Sequence, residues 1–149
     1  MIEIREISNG KKKDLDWIKS IIGMPFGFLQ NIKMGGVGSP RLIYKGGSEI
    51  LDKANDSFSA SNYSNIQLYP KGILLRMSVN TLVYAAPIPF EQLGAMRMHA
   101  ALNEPNIYDL TIEVQAKGAL VFSVKAERMN TCISFLTRAD FEGRFSLLR

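Results

Sequence analysis

Between Ile66 and Leu93 the chain reads IQLYPKGILLRMSVNTLVYAAPIPFEQL, and this stretch constrains the fold more than any other. Ile66 and Leu68 alternate with Gln67 and Tyr69, the period of a half-buried strand. Tyr69-Pro70-Lys71-Gly72 suits a reverse turn, because proline presets a dihedral at the second position and glycine closes the fourth. Ile73, Leu75, Met77 and Val79 then share one face of a strand, with Leu74, Arg76 and Ser78 on the other. Asn80-Thr81 turns the chain, and Leu82 to Ala86 returns it. Pro87 and Pro89 have no amide hydrogen to give a ladder, which predicts a sheet edge or a crossing.

A second hairpin follows. Leu110, Ile112 and Val114 alternate with Thr111, Glu113 and Gln115, Lys117-Gly118 turns the chain, and Leu120, Phe122, Val124 and Ala126 form the buried face of the partner strand. Between the two hairpins, Leu93, Met96 and Met98 fit neither the helical nor the strand period, and Asn103 to Asn106 is a loop around Pro105. Near the end, Met129, Cys132, Ile133 and Leu136 recur at helical spacing, while Thr131, Ile133 and Phe135 also alternate as in a strand.

Upstream, Ile2 and Ile4 alternate with Glu3 and Arg5, but Glu6 and Ile7 break the pattern, leaving a short strand or frayed arm. After Asn9-Gly10 and the run Lys11, Lys12, Lys13, a short helix is expected from Asp14, with Leu15, Ile18, Ile21 and Ile22 on its apolar side and Gly23 and Pro25 ending it. Phe26, Phe28, Leu29, Ile32 and Met34 make a second apolar piece, broken by Gly35, Gly36, Gly38 and Pro40. Residues 1–40 therefore form an N-terminal extension of two short helices, expected to pack on the main domain, and residues 41–149 form that domain. Leu42 to Tyr44 is a strand interrupted by Gly46-Gly47, and Ser48 to Leu51 either resumes it or starts a helical turn. Asp52 to Asn65, rich in serine, asparagine and aspartate, reads as a loop or weak hairpin.

The segments YPKGILLR and PIPFEQL, in this order of elements, make the region Arg41 to Leu136 resemble the bacterial pleckstrin-homology-like (PH-like) domains. In that family a glycine-turned strand pair is often followed by an Ile-Pro-aromatic step, matched here by Ile88-Pro89-Phe90 and closed by Leu93. The resemblance implies a mainly β, α+β fold: a partly open barrel of two antiparallel sheets, capped by a C-terminal helix over Met129 to Leu136. It does not imply phosphoinositide binding. No lysine with a spaced Lys/Arg-x-Arg lies between Arg41 and Tyr69, and the only tryptophan, Trp17, lies outside the final helix.

Catalytic chemistry finds little support. The single histidine, His99, has Glu104 near it in sequence but nothing that fixes the pair as base and orienter. Cys132, the only cysteine, forms no intrachain disulfide and is expected on an apolar stripe rather than as a thiolate, which suits a reducing compartment. Gly35-Gly36-Val37-Gly38-Ser39 lacks the lysine and hydroxyl residue of a phosphate-binding loop, and Pro40 opposes a helix starting at Ser39. No catalytic, cofactor or metal residue is assigned.

With 149 residues, 46% hydrophobic and 21% charged, the chain is long and apolar enough for one domain with a full core. A net charge of +4 points only weakly to acidic partners, and Arg76, Tyr84 and Lys125 are too few to make a nucleic-acid surface. No run of about 20 apolar residues predicts a membrane span. Asp14, Asp16, Lys19 and Ser20 interrupt the apolar stretch after the lysines, so no secretory leader is expected. The expected function is non-catalytic: a cytoplasmic binding or assembly module that contacts a protein partner or a second copy. The residues assigned to that surface are Lys11, Lys12, Lys13, Trp17, Phe26, Phe28, Met96 and Met98. The alternative is peripheral binding to anionic lipid at the inner membrane face through Lys11–Lys13 and Trp17. A third is a small-ligand carrier or enzyme using the mouth of the sheets.

Overall fold

The computed structural model describes residues 1–57, 62–138 and 144–147. Its elements are β1 (Arg5–Glu6), α1 (Lys12–Ile22), α2 (Phe28–Lys33), β2 (Ile43–Gly46), α3 (Glu49–Asp56), β3 (Tyr63–Tyr69), β4 (Gly72–Val79), β5 (Leu82–Pro89), a 3₁₀ turn (Phe90–Gln92), β6 (Leu93–Ala100), β7 (Ile107–Val114), β8 (Gly118–Lys125), α4 (Ala126–Arg138) and β9 (Phe145–Leu147). The fold is mixed α+β and mostly β. One sheet has the order β1-β5-β4-β3 and the other β2-β8-β7-β6-β9. No ladder closes the two into a barrel among the described residues. Isolated bridges Gly38–Gln67 and Leu42–Ser64 tie the segment leading into β2 to β3 of the other sheet.

Both hairpins form in the register that alternation demands. Gly72 faces Pro89, Leu74 faces Pro87 and Arg76 faces Ala85 across β4–β5. On the other side of β5, β1 covers only Tyr84 and Ala85. Pro87 and Pro89 therefore lie where β5 has no second neighbour, so their missing amide hydrogens leave no ladder bond unmade. Beyond Pro89 the 3₁₀ turn carries the chain to the second sheet. In that sheet Leu110 pairs with Phe122 and Ile112 with Leu120. Leu120, Phe122 and Val124 are buried.

The core lies between the sheets, where Ile66, Ile73, Met77, Leu93, Leu110 and Val124 are all buried. The gap left there, lined by Ile4, Leu51, Leu75, Leu120 and Phe122, holds about 10 Å³, no more than one water needs. Helix α4 packs its Cys132, Phe135 and Leu136 into this core, while Met129 and Ile133 are only half-buried beside it. A stripe centred on Ile133 is thus rotated by part of a turn towards Phe135.

Residues 1–40 are not confined to the outside. Ile2, Ile4 and Val37 belong to the core, while Ile7 joins a second cluster on the outer face of the β5-β4 pair. Ile18 and Ile22 of α1 complete that cluster over Tyr69, Leu74 and Ala85. The broken alternation at Glu6-Ile7 marks the point where the arm passes from one layer to the other.

Two expectations are corrected. Asp52 to Asp56 is not loop but the end of α3; the part of that stretch at Ser59 and Ser61 lies outside the described residues. Ser48 caps α3, its Oγ accepting from Leu51 N at 3.3 Å, and Glu49 and Asp52 stand in the first turn, where negative charge favours a helix. Asn62, read as loop, is buried: its Oδ1 accepts from Tyr44 N at 2.7 Å, and its Nδ2 donates to Tyr44 O at 3.2 Å and to Asn55 Oδ1 at 2.9 Å.

The second correction concerns Met96 and Met98, which are fully buried and cannot belong to an accessible surface. The pairing of β6 with β7 shifts between Leu93, opposite Val114, and Met96, opposite Ile112. The bulge inserts a residue, so the inward set becomes Leu93, Met96 and Met98 rather than every second residue.

Candidate interaction surface

Helix α1 uses its apolar side on its own sheet. Ile18 and Ile22 are buried, and Trp17 and Ile21 are half-buried at the border. The Arg5 guanidinium lies 4.1 Å from the centre of the Trp17 ring, an attractive stack that covers one face of the indole. Lys11, Lys12 and Lys13 are exposed at the start of the helix. The apolar side of α1 is therefore occupied by packing on β4 and β5.

Helix α2 is the reverse. None of its residues is buried. Phe28 is 79% exposed, Leu29 73% and Ile32 60%, and Met24 just before it is 65% exposed. Ile32 stands four residues from Phe28 and three from Leu29, so it neighbours both and the three form one exposed helix face. The flanking Phe26 and Met34 are half-buried against the core. They pin the two ends of a knuckle whose apolar face points away from the domain. Its C-terminal end is finished by backbone bonds, Gly35 N to Ile32 O at 3.0 Å and Gly36 N to Asn31 O at 2.9 Å. Gly35 and Gly36 take φ of 74° and 98°, a region that costs other residues about 1–2 kcal/mol.

Of the eight residues assigned to this surface, Lys11, Lys12, Lys13 and Phe28 are exposed, Trp17 and Phe26 are half-buried, and Met96 and Met98 lie in the core. Leu29 and Ile32, within the apolar piece from Phe26 to Met34 that stands out in the sequence, are exposed beside Phe28, and Met24, which does not stand out there, is exposed as well. The signal in the sequence is a short apolar helical stretch bounded by Gly27 and Gly35.

Other reactive groups are held in structural settings. Cys132 is buried, and desolvation pushes its thiol up to about 12. His99 faces Asp109 across β6–β7, but Asp109 accepts from Lys45 Nζ at 2.9 Å, and Glu104 from the same nitrogen at 3.1 Å. These two carboxylates raise the Lys45 pKa through their hydrogen bonds. His99 Nδ1 is buried without a hydrogen-bond partner. Tyr44 Oη donates to Asp52 Oδ1 at 2.6 Å and accepts from Ser48 N at 2.8 Å. Burial, and then the bond to Asp52, raises its pKa well above the usual phenol range. Among the described residues, no three of histidine, cysteine, aspartate and glutamate converge to hold a metal ion, and no helix is long and apolar enough to cross a membrane.

No protein-family model and no curated protein matches this chain.

Proposed function

We propose that the protein is a non-catalytic binding and assembly module on a PH-like scaffold, and that α2 is its protein-contact surface. The scaffold reading rests on the order of elements: β3–β5, the Ile88-Pro89-Phe90 step, β6–β8 and then α4. The observation that carries the function is the exposure of Phe28, Leu29 and Ile32 on one face of a helix anchored only at its ends.

Together these three side chains present roughly 400 Å², the size of the largest apolar patch on an ordinary monomer and often functional. Covering it gains about 10 kcal/mol of gross transfer free energy. Association opposes that with a cost of about 4–15 kcal/mol. The expected contact is therefore transient, a helix turn seated in a partner protein's apolar groove. Lys33 in the last turn favours a groove with an acidic rim.

Peripheral membrane contact is the second reading, favoured by the adjacency of Lys33 to the same exposed face. The pair Phe28→Asp/Leu29→Asp separates the outcomes in the full chain. Flotation with vesicles containing anionic lipid, lost in the pair and reduced by salt, replaces the protein-contact reading with the membrane one. Absence of flotation, together with association to another polypeptide chain that the pair abolishes, supports the protein-contact reading. Sedimentation of the purified chain over a concentration series tells whether that polypeptide is a second copy.

A further inference from the structure

A second feature lies apart from α2. Strand β4 buries Ile73, Leu75, Met77 and Val79 and turns Leu74, Arg76 and Ser78 outward. Helix α1 covers Leu74 and Ala85. Arg76 and Ser78 instead line a recess of about 290 Å³, with Asn65 and Ser39. One wall of that recess is a stack: the Arg41 guanidinium lies 4.0 Å from the centre of the Tyr63 ring. The other side of the same stack bounds a recess of about 310 Å³, lined by Ser123, Lys125 and Arg128. The two recesses share Arg41 and Tyr63 and are treated together as one groove.

Among the described residues no carboxylate lines either side. The ion pairs of the structure use other cations: Arg5 with Glu3, Lys45 with Glu104 and Asp109, Lys53 with Glu49, and Arg97 with Glu113. Arg41, Arg76, Lys125 and Arg128 make no ion pair among the described residues. The nearest acids in sequence and register are Glu127, exposed in the first turn of α4, and Asp109, paired across the ladder with Ser123 and already bound to Lys45. Arg76 Nε is buried and has no hydrogen-bond partner. A buried guanidinium nitrogen without an acceptor is unfavourable, and an anion in the recess would give the Arg76 guanidinium a partner.

We propose that this groove binds a small phosphorylated compound. Arginine forks donate to phosphate oxygens in pairs, the serine hydroxyls of Ser78 and Ser123 add donors, and a recess of this size suits a small ligand rather than a polymer. Arg76 in one recess and Lys125 and Arg128 in the other, with Arg41 common to both, suit a compound that carries two phosphoryl groups. The same chemistry is offered by a soluble phosphoester and by a lipid phosphate headgroup.

Pyrophosphate, titrated into the full chain by calorimetry and by amide chemical shifts, is the probe. Binding is expected, with shifts centred on Arg41, Tyr63, Arg76 and Ser123. Arg76→Gln and Arg41→Gln are each expected to weaken it about tenfold, the effect of losing a charge-assisted hydrogen bond. Arg41 is exposed, so its variant reports on binding even if Arg76→Gln fails to fold. Replacing Lys11, Lys12 and Lys13 by glutamine is expected to leave affinity unchanged. Flotation with phosphatidate vesicles, lost in Arg41→Gln, assigns the lipid source; pyrophosphate binding without flotation assigns the soluble one. No binding to pyrophosphate, or equal weakening by the lysine replacements, overturns the proposal.

Discussion

Ile22 of α1 rests directly on Gly72: a Cβ added to that glycine would stand 2.7 Å from Ile22 Cγ2, 2.2 Å from Ile88 O and 2.8 Å from Pro89 Cα. The helix, the first hairpin and the proline-bearing strand meet there. Lys71 N also donates to Ile22 O at 3.0 Å. Gly72 is therefore needed for close approach, beyond its role in the turn.

Gly72→Ala is expected to destabilise the protein by about 1–3 kcal/mol, the cost of overpacking a contact that includes rigid backbone. Denaturant unfolding measures it. An unchanged midpoint would mean that α1 does not sit on the turn.

Asn62→Ala is expected to cost about 1–3 kcal/mol, because the Tyr44 amide is left buried without its acceptor. The same variant frees Asn55 Oδ1, a tie between α3 and the start of β3. Amide exchange at Tyr44 is expected to quicken relative to Phe122 on the neighbouring strand. Equal protection in the variant would contradict this clamp.

Cys132 gives a pH dependence whose sign is fixed by burial. Its thiol is raised from the ordinary value of 9.0 to about 12. The folded chain therefore holds the proton more tightly than the unfolded one. The associated stability is complete below pH 9.0 and is lost as pH rises towards about 12. Cys132→Ala is expected to flatten the fall of the unfolding midpoint between these limits. At pH 8 the native thiol is expected to resist a disulfide reagent until denaturant is added. Fast native modification would show that α4 does not cover it.

Much of this architecture was legible in the sequence where apolar spacing was regular. The β7–β8 hairpin and the strands on either side of the Tyr69-Gly72 turn carry regular periods, whereas Met129–Leu136 fits both a helical and a strand spacing and its helix is expected from the resemblance. The fold was opaque where geometry breaks the period. The bulge between Leu93 and Met96 disguised two core methionines as surface residues. Helix α3 buries only Leu51 and Ala54, too few to stand out from a polar run, although Ser48, Glu49 and Asp52 carried its start signal. The apolar α2 stretch was visible, but whether an apolar face is covered depends on tertiary contacts. Arg76 and Lys125 can be considered together from the sequence, but that Arg41 and Tyr63 line a recess with each of them depends on tertiary contacts in the same way.

The α2 face should be energetically silent in the isolated chain. Phe28→Asp/Leu29→Asp is expected to shift the unfolding free energy by less than about 0.5 kcal/mol, as for exposed positions. A larger loss would mean that these side chains are covered by the domain itself.

The most direct measurement replaces Phe28 with a photo-crosslinking residue in the full-length protein in cells, with the same residue at exposed Asn80 as control. The account predicts one discrete polypeptide adduct from position 28, none from position 80, and loss of the adduct when an excess of a peptide spanning residues 24–34 competes. Crosslinking to lipid alone, or equal and uncompeted adducts from both positions, would contradict a protein-contact role for α2.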